Sequence, residues 1–332
     1  MNSFGRIFRV HIFGESHGES VGIVIDGCPA GLSLSEEDLL PDLERRKGGK
    51  QKGTTPRQEA DYPFFKSGVF NGKTTGAPIT ILFENNNTRS GDYEKQRSFP
   101  RPGHADMVAH QKYGGNEDYR GGGHFSARLT TGLVAAGAIA KKLMPGVNIE
   151  AVVKEIGGET DLEKGLQKAI DAKDSIGGLV ECRVNGLPVG LGEPFFDSVE
   201  SQLAHIAFAI PAVKGVEFGS GFAAAKMFGT QHNDAIEDME GRTRSNHAGG
   251  VVGGISNGNE LVYRIAIKPT ASTPKEQNSL NWETGQVENF SIKGRHDLCV
   301  ALRAPVILEA ATAVALVDLY LLEQHSKRVV SS

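Results

Sequence analysis

Apolar positions along this 332-residue chain follow two rhythms, one suited to strands and one to helices. Short apolar runs bounded by turn residues predict strands. They lie at residues 21–25, which run into Asp26-Gly27, and at 78–83, 149–156, 178–184 and 260–268. Helical spacing predicts helices over 126–144, ended by Pro145-Gly146, then about 161–172, an amphipathic one over 198–210, and a last one from near Pro305 to 324. His325, Lys327 and Arg328 complement the dipole of that last helix. Ser35-Glu36-Glu37-Asp38 has the form of a helix start, and Pro41 makes the helix either restart or kink there. Residues 213–228 alternate with two glycine breaks, and 234–247 form a charged loop. From 85 to 123 there is little periodicity, and a loop of that length in a compact unit usually has a function. Strands and helices interleave with no Pro- or Ser-rich linker, so one continuous α/β unit over residues 1–332 is expected.

Composition narrows the picture. Glycine is the outlier at 42 residues, gathered as pairs in loops without collagen-like period, which suits backbone packed against ligands or other backbone. A net charge of -4 argues against general nucleic-acid binding, which needs phosphate neutralisation. Cys28, Cys182 and Cys299 are widely spaced, with no CxxC, as in a reduced cytoplasmic protein. No signal-peptide h-region opens the chain. The most apolar segment contains Glu309 and Asp318 and reads as a buried helix, not a membrane span.

Candidate chemistry gathers in the loops. Gly14-Glu15-Ser16-His17-Gly18 puts a hydroxyl beside an imidazole that titrates near neutral pH. Arg45, Arg46, Lys47, Lys50, Lys52 and Arg57 form a basic cluster, either a solvated surface or an anion site. Arg101-Pro102-Gly103-His104-Ala105-Asp106 holds a histidine on a turn. His104, Asp106 and His110 could alternatively ligate a metal, although a site needs three or four ligands. Arg120-Gly121-Gly122-Gly123-His124-Phe125-Ser126-Ala127-Arg128 leads glycines into a helix capped by Ser126, a place for an anion or a plain capped helix. Neither a Rossmann fingerprint nor a Walker A loop is present. Ser245-Asn246-His247-Ala248-Gly249-Gly250, Lys268-Pro269-Thr270-Ala271-Ser272 and Gly294-Arg295-His296-Asp297 complete the set.

Taken together and in order, these segments resemble chorismate synthases over nearly the whole chain: FGESHG, Arg45-Arg46, TTPR, SGVF with TTGAPI, RPGHAD, DYRGGG with SAR, AVKGVEFG, SNHAGG, KPT and GRHD. The resemblance implies a β-α-β sandwich with central helices between antiparallel sheets, a homotetramer, and conversion of 5-enolpyruvylshikimate 3-phosphate to chorismate by 1,4-anti elimination with reduced FMN. It implies that His17 protonates the departing phosphate and that His104 serves the reduced flavin. It also implies that Asp297, with Ser16 and Ser126, relays the ring proton. Arg45, Arg46, Lys52 and Arg128 are implied to bind substrate. His124, Phe125, Ser126, Pro211, Ala212, Gly253, Lys268, Pro269, Thr270, Ala271, Ser272 and Arg295 are implied to contact flavin. Lys52 stands where arginine is usual, so charge is kept without the bidentate fork. His124-Phe125 replaces a frequent Arg-Ser pair, and Pro211 an asparagine. Some members reduce the flavin with NADPH; with no separate nucleotide domain in this chain, an outside source is expected. Two rivals are a metal-dependent hydrolase built on His104, Asp106 and His110, and a flavin or phosphate binder without catalysis.

Overall fold

A computed structural model describes residues 2–49, 52–55, 59–86, 97–292 and 296–325. Two antiparallel sheets enclose a layer of helices. The first sheet has five strands, β1 (Ser3–Phe4), β2 (Arg9–Gly14), β3 (Ser20–Asp26), β4 (Phe64–Ser67) and β5 (Ile79–Glu84), ordered β1-β2-β3-β5-β4. The second has four, β6 (Asn148–Ile156), β7 (Gly178–Asn185), β8 (Val213–Phe218) and β9 (Leu261–Ile267), ordered β8-β9-β7-β6. Alternation fixes the register. Val21, Ile23 and Ile25 of β3 pair with Phe83, Ile81 and Ile79 of β5, and all six are buried against the helices.

The longer helices are α1 (Leu40–Arg46), α2 (Asp106–Tyr113), α3 (Thr130–Leu143), α4 (Leu162–Ala172), α5 (Val199–Ala207) and α6 (Ala304–His325). α3 packs on β3 and β5, α6 packs on β6 and β7, and the two pack on each other. The small residues of α3 serve that crossing. A Cβ on Gly137 would interpenetrate Ala310 and lie 2.9 Å from its carbonyl oxygen. The stretch Val300–His325 is long and apolar enough to cross a bilayer, yet it is mostly buried between the two sheets.

Polar groups inside α6 are all engaged. Glu309 accepts two hydrogen bonds from Arg45 (2.7 and 2.6 Å), one from Lys141 (3.1 Å) and one from the Ala151 N–H (3.1 Å), tying α1, α3 and β6 to the central helix. Asp318 accepts the backbone N–H groups of Arg6, Ile7 and Phe8 at 2.7–3.0 Å. A buried carboxylate is tolerable when its oxygens are this fully bonded.

The sequence-based elements recur with shifts of a few residues. At Pro41 the helix restarts: a 3-10 turn over Glu36–Asp38 precedes α1, with proline in its first turn. Three features differ. The aperiodic 85–123 stretch contains α2, whose weakly amphipathic sequence hides it. Strand β2 has only one fully buried position, too few for an alternation signal. A hairpin of β10 (Gln277–Asn281) and β11 (Gln286–Phe290) is mostly polar, with only Leu280, Val287 and Phe290 apolar. It packs Phe290 on Phe99 with ring centroids 5.2 Å apart.

Candidate functional site

The β2–β3 connection carries Ser16 and His17, and both are buried. A glycine turn holds it in place. The Ser16 N–H donates to the Gly123 carbonyl (3.1 Å), and His124 Nδ1 donates to the Gly14 carbonyl (2.8 Å). Gly121, Gly122 and Gly123 have φ of 60, 85 and 51°, which L side chains resist. Space forbids side chains there too. A Cβ on Gly121 would run into the His17 ring and lie 3.0 Å from Ser16 Oγ, and one on Gly122 would lie 3.1 Å from His104 Cε1. The two imidazoles therefore sit against successive glycines of one turn.

His104 is held from its other side. Arg101 donates from Nε and a terminal nitrogen to Asp106 (both 2.7 Å), and His104 Nδ1 meets the same carboxylate at 2.7 Å. Burial pushes the Asp106 carboxyl up, but the hydrogen bonds from Arg101 and His104 prevail and hold it well below the usual range. Its ionised form also suits the start of α2. The segment after β9 meets this turn: Arg101 reaches Ser272 Oγ at 3.5 Å, and Lys268 Nζ donates to the Gly103 carbonyl. The Lys268 N–H donates to the Ala212 carbonyl (2.9 Å), bringing Pro211-Ala212 to the same end of the sheet. His124, Phe125, Ser126 and Pro211 line one cavity of about 350 Å³. Arg101, His104, Gly122 and Phe125 line a neighbouring cleft of about 560 Å³.

A third group is cationic. Arg46 and Arg128 are buried and share one carboxylate, Asp61. Arg46 also donates to Thr130 Oγ1 (3.0 Å) and the Ala127 carbonyl (3.0 Å), while Arg128 donates to Asn85 Oδ1 (3.0 Å) and the Glu84 carbonyl (3.1 Å). Burial lowers the Arg46 pKa, Asp61 opposes this, and the positive charges of Arg303 and Arg128 reinforce it. Asp297 accepts the Thr55 N–H (2.8 Å) and an Arg303 N–H (2.9 Å). Two guanidiniums over one carboxylate leave uncompensated positive charge beside the Ser126 cap.

Other sequence-based candidates sit elsewhere. Arg45 pairs with Glu309 and Asp42, and among the described residues Lys52 reaches Gln167 Oε1 at 3.5 Å on the surface. Gly253 lies in a hairpin next to the Leu261 end of β9, whereas Lys268 follows the other end of that seven-residue strand, about 20 Å away. Pro269 and Ala271 lie between Lys268 and Ser272. Arg295, like Lys50 and Arg57 of the basic cluster, lies outside the described residues. His110 meets Glu117 and Trp282, and no group of three His, Cys, Asp or Glu suited to a metal occurs among the described residues.

Two residues escaped the sequence reading: Asp61, whose partners Arg46 and Arg128 lie in separate segments, and Arg303, which stands outside any motif six residues beyond its partner Asp297. His296 was among the candidates, as part of the Arg-His-Asp triplet.

Ser16 Oγ, Thr270 Oγ1, His296 Nε2 and Arg303 Nε are buried with no hydrogen-bond partner among the described residues. Folded proteins rarely leave such groups unsatisfied, at about 1–3 kcal/mol each. Together with the glycine turn and the two cavities, they fit a polar, anionic ligand set that includes a flat ring system.

Comparison with known proteins agrees in extent. The family model described as chorismate synthase matches residues 8–321. A chorismate synthase of Chitinophaga pinensis is 71% identical over 330 residues, covering 99% of both chains. Those of Synechocystis sp. (46% identical, 96% of both chains) and Korarchaeum cryptofilum (43% identical, 95% of this chain and 96% of that one) are also similar. A solved structure titled "Crystal Structure of Chorismate Synthase" superposes with a TM-score of 0.73 at 28% identity, covering 96% of this chain and 93% of that one.

Proposed function

The chain belongs to the chorismate synthase family of lyases, and on that premise we propose how its residues carry the reaction. The enzyme closes the shikimate pathway: 5-enolpyruvylshikimate 3-phosphate loses phosphate and a ring proton to give chorismate. The observation that carries the residue assignment is the meeting of His17 and His104 at one glycine turn, beside an excess of buried positive charge.

The substrate carries a phosphate and two carboxylates. Arg46 and Arg128 supply a fixed positive field toward it, since Asp61 offsets only one of the two charges. His17 hands a proton to the departing phosphate oxygen, where negative charge builds. Asp118, held ionised chiefly by its hydrogen bond to Arg120, lies within electrostatic reach of His17. Ser16 Oγ, without a hydrogen-bond partner among the described residues, takes a hydrogen bond from or gives one to the bound ligands. Asp297, fixed by Thr55 and Arg303, is the carboxylate placed to receive the ring proton.

Reduced FMN would sit at the glycine turn, where His104, Gly122 and Phe125 line one cavity and His124, Ser126 and Pro211 the other, and Thr270 Oγ1, buried without a partner among the described residues, is a further group it could satisfy. Bound there, it supplies an electron-rich ring that no side chain provides. His124, Phe125, Ser126, Pro211, Ala212 and Lys268 to Ser272 hold it, with Arg295, and His104 serves it from the Arg101–Asp106 cluster. We read the chain as one cytoplasmic unit that assembles as a homotetramer and receives reduced flavin from an outside source instead of making it with NADPH.

The test is an anaerobic assay with chemically reduced FMN and 5-enolpyruvylshikimate 3-phosphate, repeated under air with NADPH and oxidised FMN. Chorismate is expected in the first arm only. His17→Ala should bind FMN normally yet turn over at least about a hundredfold more slowly. Near-normal turnover removes the role given to His17, and chorismate in the aerobic arm removes the outside source.

A further inference from the structure

His296 is used by none of the steps above, yet its surroundings are those of a working residue. It precedes Asp297 in a stretch that is neither helix nor turn. Asp297 faces Thr55 and Arg303. His296 lies within electrostatic reach of Arg101 and His104 as well as of Asp297. Arg101 in turn touches Ser272, in the segment assigned to flavin. The His296 Nε2 atom is buried and has no hydrogen-bond partner among the described residues. Burial, followed by the positive charge of Arg101, lowers its pKa to about 4, with Asp297 opposing, so the ring is neutral at physiological pH. A neutral imidazole with one free nitrogen suits the polar edge of a heteroaromatic ring better than a phosphate.

We propose that His296 is a further flavin-positioning residue, whose Nε2 completes its hydrogen bonding only on the polar edge of the bound flavin. This rests on the flavin reading given under Proposed function. A core histidine that only fills space would have its ring nitrogens satisfied by protein, as His124 Nδ1 is by Gly14.

The experiment titrates oxidised FMN into the full-length protein by flavin fluorescence, with melting temperature measured in the absence of flavin. The variants are His296→Leu, which keeps bulk and removes the nitrogen, and His296→Gln, which restores a polar atom at similar reach. His296→Leu should weaken FMN binding by about tenfold or more, the scale of one lost hydrogen bond, while the flavin-free melting temperature holds or rises. His296→Gln should recover most of the affinity. Unchanged affinity in His296→Leu overturns the proposal alone. A fall in flavin-free melting temperature in both variants, with affinity unchanged relative to the folded fraction, makes the residue structural and overturns it too. Failure of the unmodified protein to bind FMN overturns the flavin reading and the proposal together.

Discussion

Gly121 shows how tightly single residues set this site. Its φ of 60° already disfavours other residues, and the space a methyl group needs is filled by the His17 ring and Ser16 Oγ. Gly121→Ala must therefore displace the imidazole or the turn. We expect turnover to fall at least about a hundredfold, as for loss of the acid itself, with the melting temperature lowered by only a few degrees. Steady-state kinetics beside thermal unfolding check this, and near-normal turnover would show that the turn has slack. Much of the residue scale was legible in the sequence, because Ser16-His17, the triple glycine and RPGHAD each carry their chemistry locally. Asp61 was not. It binds Arg46 and Arg128, which lie 15 and 67 residues away, and nothing near it in the chain announces two guanidiniums. Nor does a run of basic residues say which of them pair with acids elsewhere, as Arg45 does with Glu309.

At the level of elements, the crossing of α3 and α6 is the joint on which the sandwich rests. Gly137 lets the two helices approach until Ala310 fills the place of a side chain. Alanine would gain about 1 kcal/mol of helix propensity there, but the overlap costs more. Gly137→Ala should therefore destabilise the protein by about 1–3 kcal/mol in urea unfolding, whereas Gly229→Ala, with open space around it, should change stability by less than about 0.5 kcal/mol. Equal effects would mean that propensity, not the approach of the helices, governs α3. Helices α3 and α6 were readable because their small and apolar residues persist over several turns. Helix α2 and the β10–β11 hairpin were not, because polar elements held by a few ring contacts leave no period in the sequence.

For the whole molecule, the informative surface is apolar and exposed. Phe195 (87%), Phe196 (89%), Phe222 (79%), Phe228 (77%) and Met239 (97%) stand out between residues 189 and 258, the region that also carries Gly253. So many exposed rings on one segment mark an interaction surface, and a second copy of the chain is the partner the homotetramer reading gives it. Phe196→Asp combined with Phe228→Asp should shift the sedimentation coefficient from tetramer toward smaller species, with each protomer still folded by circular dichroism. An unchanged coefficient would remove this face from the assembly. One buried apolar cluster runs from Phe8 to Leu321 through both sheets, which supports reading the chain as one unit.

Asp318 gathers the N–H groups of residues 6–8 from more than three hundred positions downstream. On a ribosome, the first strands thus emerge long before the carboxylate that anchors them exists, and the greasy face of the second sheet waits for the same late helix. Folding of this sandwich is consequently post-translational, and a nascent chain stalled before α6 presents its apolar faces to chaperones, not a partly finished enzyme.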